Sequence, residues 1–145
     1  MNHLVQLDSR AGELEKILSG VKCMVIKDCD PEKSAAYPVI PGDNLYFLRD
    51  KDDYDLRVKA TVVRVLFFSK KMNEDLSHYL KEMQPKLQLT EEQYNYWSAK
   101  KQMLLVEFES AQKTGVIHLA LDEVKDRSDW IAFEAFSVLT SRMFQ

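Results

Sequence analysis

The sequence predicts an α+β domain: a small, strongly curved β-barrel of about five to seven mixed or antiparallel strands, with helices at its periphery. Three observations lead there. From Leu56 the residues alternate, with Leu56, Val58, Ala60 and Val62 on one side and Arg57, Lys59 and Thr61 on the other. The alternation slips at Val62-Val63, after which Val65 and Phe67 continue in the shifted phase, as a β-bulge bending a long strand around a barrel corner would require. Helical periodicity interrupts the strands twice, at Met72, Leu76, Leu80 and Met83 and again after the capping box Thr90-Glu91-Glu92-Gln93.

In chain order, His3 to Leu7 suits a short strand, and Ser9 offers a cap for a helix whose Ala11, Leu14, Ile17 and Leu18 share a face. Gly20 ends that helix as a C′ residue. Lys22 to Lys27 is β-favouring and too short for a helix, and a loop punctuated by Pro31, Pro38 and Pro41-Gly42-Asp43 follows from Asp28 to Asp43. A loop that long suits a lid or a binding loop. Asn44 to Arg49 is the next strand, and the charged run Asp50 to Asp55 turns the chain into the long one. The Met72 stripe stops before Pro85, and Leu89 and Tyr94 form a hydrophobic staple around the capping box. Leu104, Val106 and Phe108 alternate with Leu105, Glu107 and Glu109 as a half-buried strand; Thr114-Gly115 then turns the chain so that Val116 to Ala120 pairs beside it. Between Ser128 and Phe144, Ile131, Ala135, Val138 and Leu139 fit a helix while Trp130, Ala132 and Phe133 also suit a strand; a helix over most of the segment is the favoured reading.

A chain of 145 residues with 46% hydrophobic and 30% charged residues is sized and balanced for one domain, whose core needs neither disulfide nor metal. No repeat, low-complexity tract or flexible linker divides it. The net charge of −3 excludes binding to nucleic acid through a global positive field, so any such role rests on a local patch. Charged residues run through the first thirty positions, among them Asp8, Arg10 and Glu13, and no later stretch is apolar for long enough to span a bilayer. Cys23 and Cys29 match no zinc or thioredoxin spacing, so two free thiols in a reducing cytoplasm are expected.

The order helix, Gly-x-Lys, strand, Pro-Gly-Asp turn, strand, long basic-apolar strand, helical insert and closing strand resembles an ASCH domain of the PUA-like superfamily. That family's motif is Gly-x-Lys-x-x-Glu-x-Arg, and here Gly20 and Lys22 match, Val25 stands at the Glu position and Lys27 replaces the Arg. Gly42-Asp43 matches a later turn and Val106-Glu107-Phe108 resembles the closing strand. The resemblance implies a single ASCH-like domain over 1–145, with its core at about 3–109 and an extension over 110–145. It further implies a cleft taking RNA, a nucleotide or a modified nucleoside, lined by Gly20, Lys22 and Lys27.

A family member that deacetylates N4-acetylcytidine is understood to use Thr at the Glu position. Val25 has neither hydroxyl nor carboxylate, so the balance leans against catalysis, and Lys27 lacks the planar fork that makes arginine bidentate. Arg57, Lys59 and Arg64 extend a positive strip along the long strand, although the charged face of a half-exposed strand reads the same way. Tyr96, out of phase with the packing pair Tyr94 and Trp97, is the aromatic best placed for stacking on a base. Solvated lysines at strand ends are the plainer reading of Lys22 and Lys27. Cys23 would become a nucleophile only beside His78 or His118, and Asp28, Asp30 and Asp43 fit no metal loop. No metal or cofactor is expected. The alternatives are a small amidohydrolase using Lys22 with Glu74 or Glu107 as acid, and a protein-interaction domain using the helical insert.

Overall fold

A computed structural model describes residues 1–28, 39–50, 55–69, 77–119 and 130–133 of the chain. Strands β1 (Asn2–Gln6), β2 (Met24–Asp28), β3 (Asn44–Leu48), β4 (Asp55–Ser69), β5 (Gln102–His118) and β6 (Trp130–Phe133) form one sheet in the order β2-β5-β4-β3-β1-β6. Only β1 and β3 run parallel; the other neighbours are antiparallel. Among the described residues, helices α1 (Glu13–Leu18), α2 (Ser77–Leu87) and α3 (Glu91–Ser98) accompany the sheet, in the expected α+β barrel-like architecture. Among the described residues β2 and β6 are the two sheet edges; they are not paired, so the barrel has a seam.

The curvature comes from β4 and β5. At 15 residues, β4 laid flat would extend about 50 Å, whereas a domain of this length has a radius of gyration of only about 15 Å. Three register shifts relieve the mismatch. Between the pairs Val62↔Phe108 and Arg64↔Glu107 the extra residue is Val63 on β4, so the slip at Val62-Val63 is a bulge. Beyond it Val65 packs on the barrel interior while Leu66 and Phe68 pack beneath the helices.

The other two shifts place extra residues on β5, around Ser110, which adopts φ 59°, and around Thr114-Gly115. The turn expected at Thr114-Gly115 is therefore a bulge within one continuous strand. Because β4 supplies a partner along nearly the whole of β5, the chain gains more by continuing the ladder than by reversing.

The interior holds Val5, Leu45, Phe47, Val58, Ala60, Val62, Val106 and Phe108, closed off by Leu14 and Ile17 of α1. A second cluster, Leu4, Tyr46, Leu48, Leu56 and Leu119, covers the outside of β1, β3 and β4. The third lies where α2 and α3 cover the outside of β2, β5 and β4: Met24, Leu80, Leu87, Leu89, Met103 and Leu105. Leu105 is thus fully buried, and this part of β5 is covered on both faces rather than half-buried.

Local details depart from expectation in three further places. Asp8, not Ser9, provides the first cap, accepting from the Arg10 N–H on a 3-10 turn over Ser9–Ala11, and α1 starts only after Gly12. Pro85 lies inside α2 instead of ending it, since the packing of Leu80 and Leu87 holds the last turn in place. Trp130–Phe133 is a strand paired with β1, not the start of a helix, because β1 offers it an unpaired edge. The Thr90 capping box forms as expected. Cys29, Asp30, Met72, Glu74 and the chain beyond 133 lie outside the described residues. No helix of the described residues is long and apolar enough to cross a membrane.

Candidate functional site

Lys22 is where expectation and structure part most clearly. Gly20 takes φ 85° just past α1, a left-handed conformation with nothing within 4 Å of an added Cβ, so the backbone turn itself favours glycine there. The turn sends Lys22 inward, to 1% exposure, where its ammonium donates to the Leu87 carbonyl and lies 3.5 Å from Glu13 Oε1. Lys16 Nζ donates to the Gln88 carbonyl at 2.9 Å and the Cys23 N–H to the Lys86 carbonyl at 3.0 Å. Three successive carbonyls at the end of α2, which the helix leaves without partners, are satisfied in this way. Burial pushes the Lys22 ammonium below its ordinary value, and Glu13 opposes the shift. Lys22 therefore locks α1 to α2 and does not line an open cleft.

Lys27 is placed differently. Along β2, Met24 and Ile26 face the helices while Val25 and Lys27 face the barrel interior. Lys27 Nζ lies 6.0 Å from the centroid of the Trp130 ring, across the seam between the two edge strands. Among the described residues it has no carboxylate partner.

Beside it sits a polar cluster that sequence reasoning missed. His3 is fully buried, with Nε2 2.8 Å from Asp43 Oδ2 and Nδ1 accepting from Trp130 Nε1 at 3.1 Å. Trp130 offers only a donor, so Nδ1 is the bare nitrogen and the proton is on Nε2. Burial pushes the imidazole below its ordinary value, outweighing Asp43, with the N-terminal ammonium and Lys27 adding to the depression. Asp43 also accepts from the Ile40 N–H at 3.0 Å and pairs with the N-terminal ammonium at 3.4 Å. Burial alone would raise its carboxyl, yet the His3 bond, the Ile40 N–H and that ammonium hold it below the ordinary value. Gly42, at φ 95°, makes the turn that aims Asp43 inward. The Pro41-Gly42-Asp43 signature was visible in the sequence as a turn; nothing in it announced a buried partner 40 residues away.

The end of the barrel where Lys27, His3 and Trp130 lie is its mouth, and the remaining expected residues do not converge on it. Arg57 lies alternate to the interior residues Val58 and Ala60, 3.6 Å from Asp55, and Lys59 sits over the Tyr46 ring on the same outer side. Arg64 and Lys86 both pair with Glu107 at 2.8 Å. The Lys86 bond, helped by Arg64 and against the effect of burial, holds that carboxyl below its ordinary value, so Glu107 is ionised and unsuited to act as an acid. Tyr96 is 56% exposed on α3, edge-on to Trp97, with Lys100 Nζ 4.8 Å from its ring. A shallow groove of about 430 Å³ between α2 and α3, lined by Lys81, Gln84, Leu89 and Tyr94, lies on the outer side, away from the mouth. His118 pairs with Asp55 and His78 packs edge-on to Tyr79. Among the described residues no three His, Cys, Asp or Glu side chains are grouped to hold a metal ion.

The molecule is thus a small α+β barrel-like domain with a cation and a tryptophan at its seam. Its fold is shared with solved structures of the ASCH protein from Zymomonas mobilis. A Tyr-to-Phe mutant of that protein superposes with a TM-score of 0.67 at 11% identity, covering 99% of this chain and 96% of that one. A Ser-to-Ala mutant gives 0.65 at 12% identity over 99% and 94%, and the ASCH protein itself 0.63 at 11% over 92% and 87%. At such identities the likeness is one of fold. No family model and no curated protein matches the sequence.

Proposed function

We propose that this chain is an ASCH-like binding module whose barrel mouth accepts a nucleotide, a modified nucleoside or a short stretch of RNA, with Lys27 holding the anionic part. The observation that carries the reading is an ammonium directed to the inner face of an open-seamed barrel, beside a tryptophan and without a carboxylate partner among the described residues. A cation left uncompensated in a half-buried setting favours an anion from outside. The shared fold supports the ligand class by analogy. The hydrolytic alternative is weakened by the burial of Lys22, by the ion pairs that keep Glu107 ionised and by the aliphatic Val25 at the motif position.

Calorimetric titration with nucleosides, nucleotides and short single-stranded RNAs tests the proposal. Binding tighter than millimolar, weakened at least tenfold by Lys27→Ala, is the expected result. Lys22→Ala is expected to cost about 1–3 kcal/mol of stability by orphaning a buried carbonyl, while the fraction that remains folded binds as before. Absence of binding by all three ligand classes, or equal affinity in Lys27→Ala, overturns the reading.

A further inference from the structure

The strand register puts a second group on the same face as Lys27. Lys27 pairs with Leu104 on β5, and Leu104 pairs with Phe67 on β4. Because Val63 is bulged out, Phe67 shares the face of Val65, the interior face, while its neighbours Leu66 and Phe68 are packed under the helices. Side chains directly across a ladder stand on one face. The row therefore reads cation, aliphatic, aromatic across three strands, and at about 4.8 Å per strand the end Cα atoms are about 10 Å apart. Phe67 is 56% exposed, which for a phenyl ring flanked by two packed neighbours leaves an aromatic surface open to a ligand.

Resting on the reading proposed above, we infer that Lys27, Leu104 and Phe67 form one subsite for a single nucleoside monophosphate unit, the phosphate at Lys27 and the base over Leu104 and Phe67. The separation is of the order of the base-to-phosphate span of one nucleotide, and an aromatic face at one end with an ammonium at the other complements its two chemically different ends. The same surroundings define selectivity. On one side of the row Val25, Val65 and Val106 have no hydrogen-bonding side chain, and both nitrogens of His3 are engaged by Asp43 and Trp130; on the other side the next pair on this face is Ser69 and Gln102. Among the described residues the row itself carries no side chain that reads a base edge, so its three residues discriminate by stacking area and by the phosphate, with little preference among bases.

The test compares AMP, GMP, CMP and UMP with adenosine, ribose 5-phosphate and inorganic phosphate, by calorimetry on the full chain and on Phe67→Ala, Phe67→Trp and Lys27→Ala. The four monophosphates are expected within about tenfold of each other, purines tighter, with Phe67→Ala weakening them by roughly 5- to 150-fold. Phe67→Trp restores the affinity, and ribose 5-phosphate is insensitive to both changes. If ribose 5-phosphate or inorganic phosphate binds as well as AMP while Lys27→Ala still abolishes binding, or if Phe67→Ala leaves AMP binding intact, the base subsite is wrong and the anion site at Lys27 stands. A preference above a hundredfold for one base also overturns the subsite as drawn. If no monophosphate binds while a nucleoside or a short RNA does, the subsite fails and the proposed function stands; if Lys27→Ala changes nothing, or none of these ligands binds, both fail.

Discussion

At the scale of single residues, the His3, Asp43 and Trp130 cluster makes folding sensitive to acid. With its Nδ1 accepting from Trp130, His3 cannot take a proton without setting two donors against each other. Its folded-state pKa lies below the ordinary 6.5, so the unfolded chain binds the proton first as pH falls. The stability due to neutral His3 is complete above that value and is lost as pH drops through the folded-state pKa. Asp43, also depressed, contributes stability present above its ordinary 3.8 and lost at lower pH, so the two groups act in successive windows. Denaturant melts between about pH 8 and pH 5 should show stability falling with acid, by at most about 1.4 kcal/mol per pH unit from one proton. His3→Gln should flatten that part of the profile. A wild-type slope identical to that of the variant contradicts the assignment.

At the scale of elements, the bulge at Val63 controls which residues of β4 face the helices. Removing the extra residue would turn every later side chain over, taking Leu66 and Phe68 away from the α2 and α3 cluster. Deletion of Val63 is expected to cost about 3–6 kcal/mol for those two side chains, a fall in Tm on the order of 10 °C or more. Val63→Ala, at a position already 38% exposed, should change stability by well under 1 kcal/mol. Thermal melts followed by circular dichroism separate the two, and a tolerated deletion contradicts the register. This bulge was legible because Val62 and Val63 break a clean alternation. The bulges on β5 were not, since Thr114-Gly115 carries the same local signature as a turn, and only the presence of β4 alongside distinguishes a detour in a strand from its end.

At the scale of the whole molecule, a net charge of −3 and one uncompensated cation at the mouth, counted among the described residues, imply weak salt dependence. For single-stranded RNA the slope of log K against log salt should be about −0.7, the value for one phosphate contact. A slope steeper than about −3 would mean that a basic surface elsewhere does the binding. Composition, hydrophobic period and capping residues determined by themselves an α+β fold with a bent long strand, a helix ended at Gly20 and a capped helix at Thr90, because each depends on neighbours within a few residues. Which lysine is buried and which faces the seam was decided only by tertiary structure. Lys22 and Lys27 are alike in sequence as charges bracketing a strand, but the end of α2, 65 residues away from Lys22, consumes one, whereas the seam leaves the other facing inward. Burial and the pairing of distant strands are properties of the assembled sheet, and no local pattern encodes them.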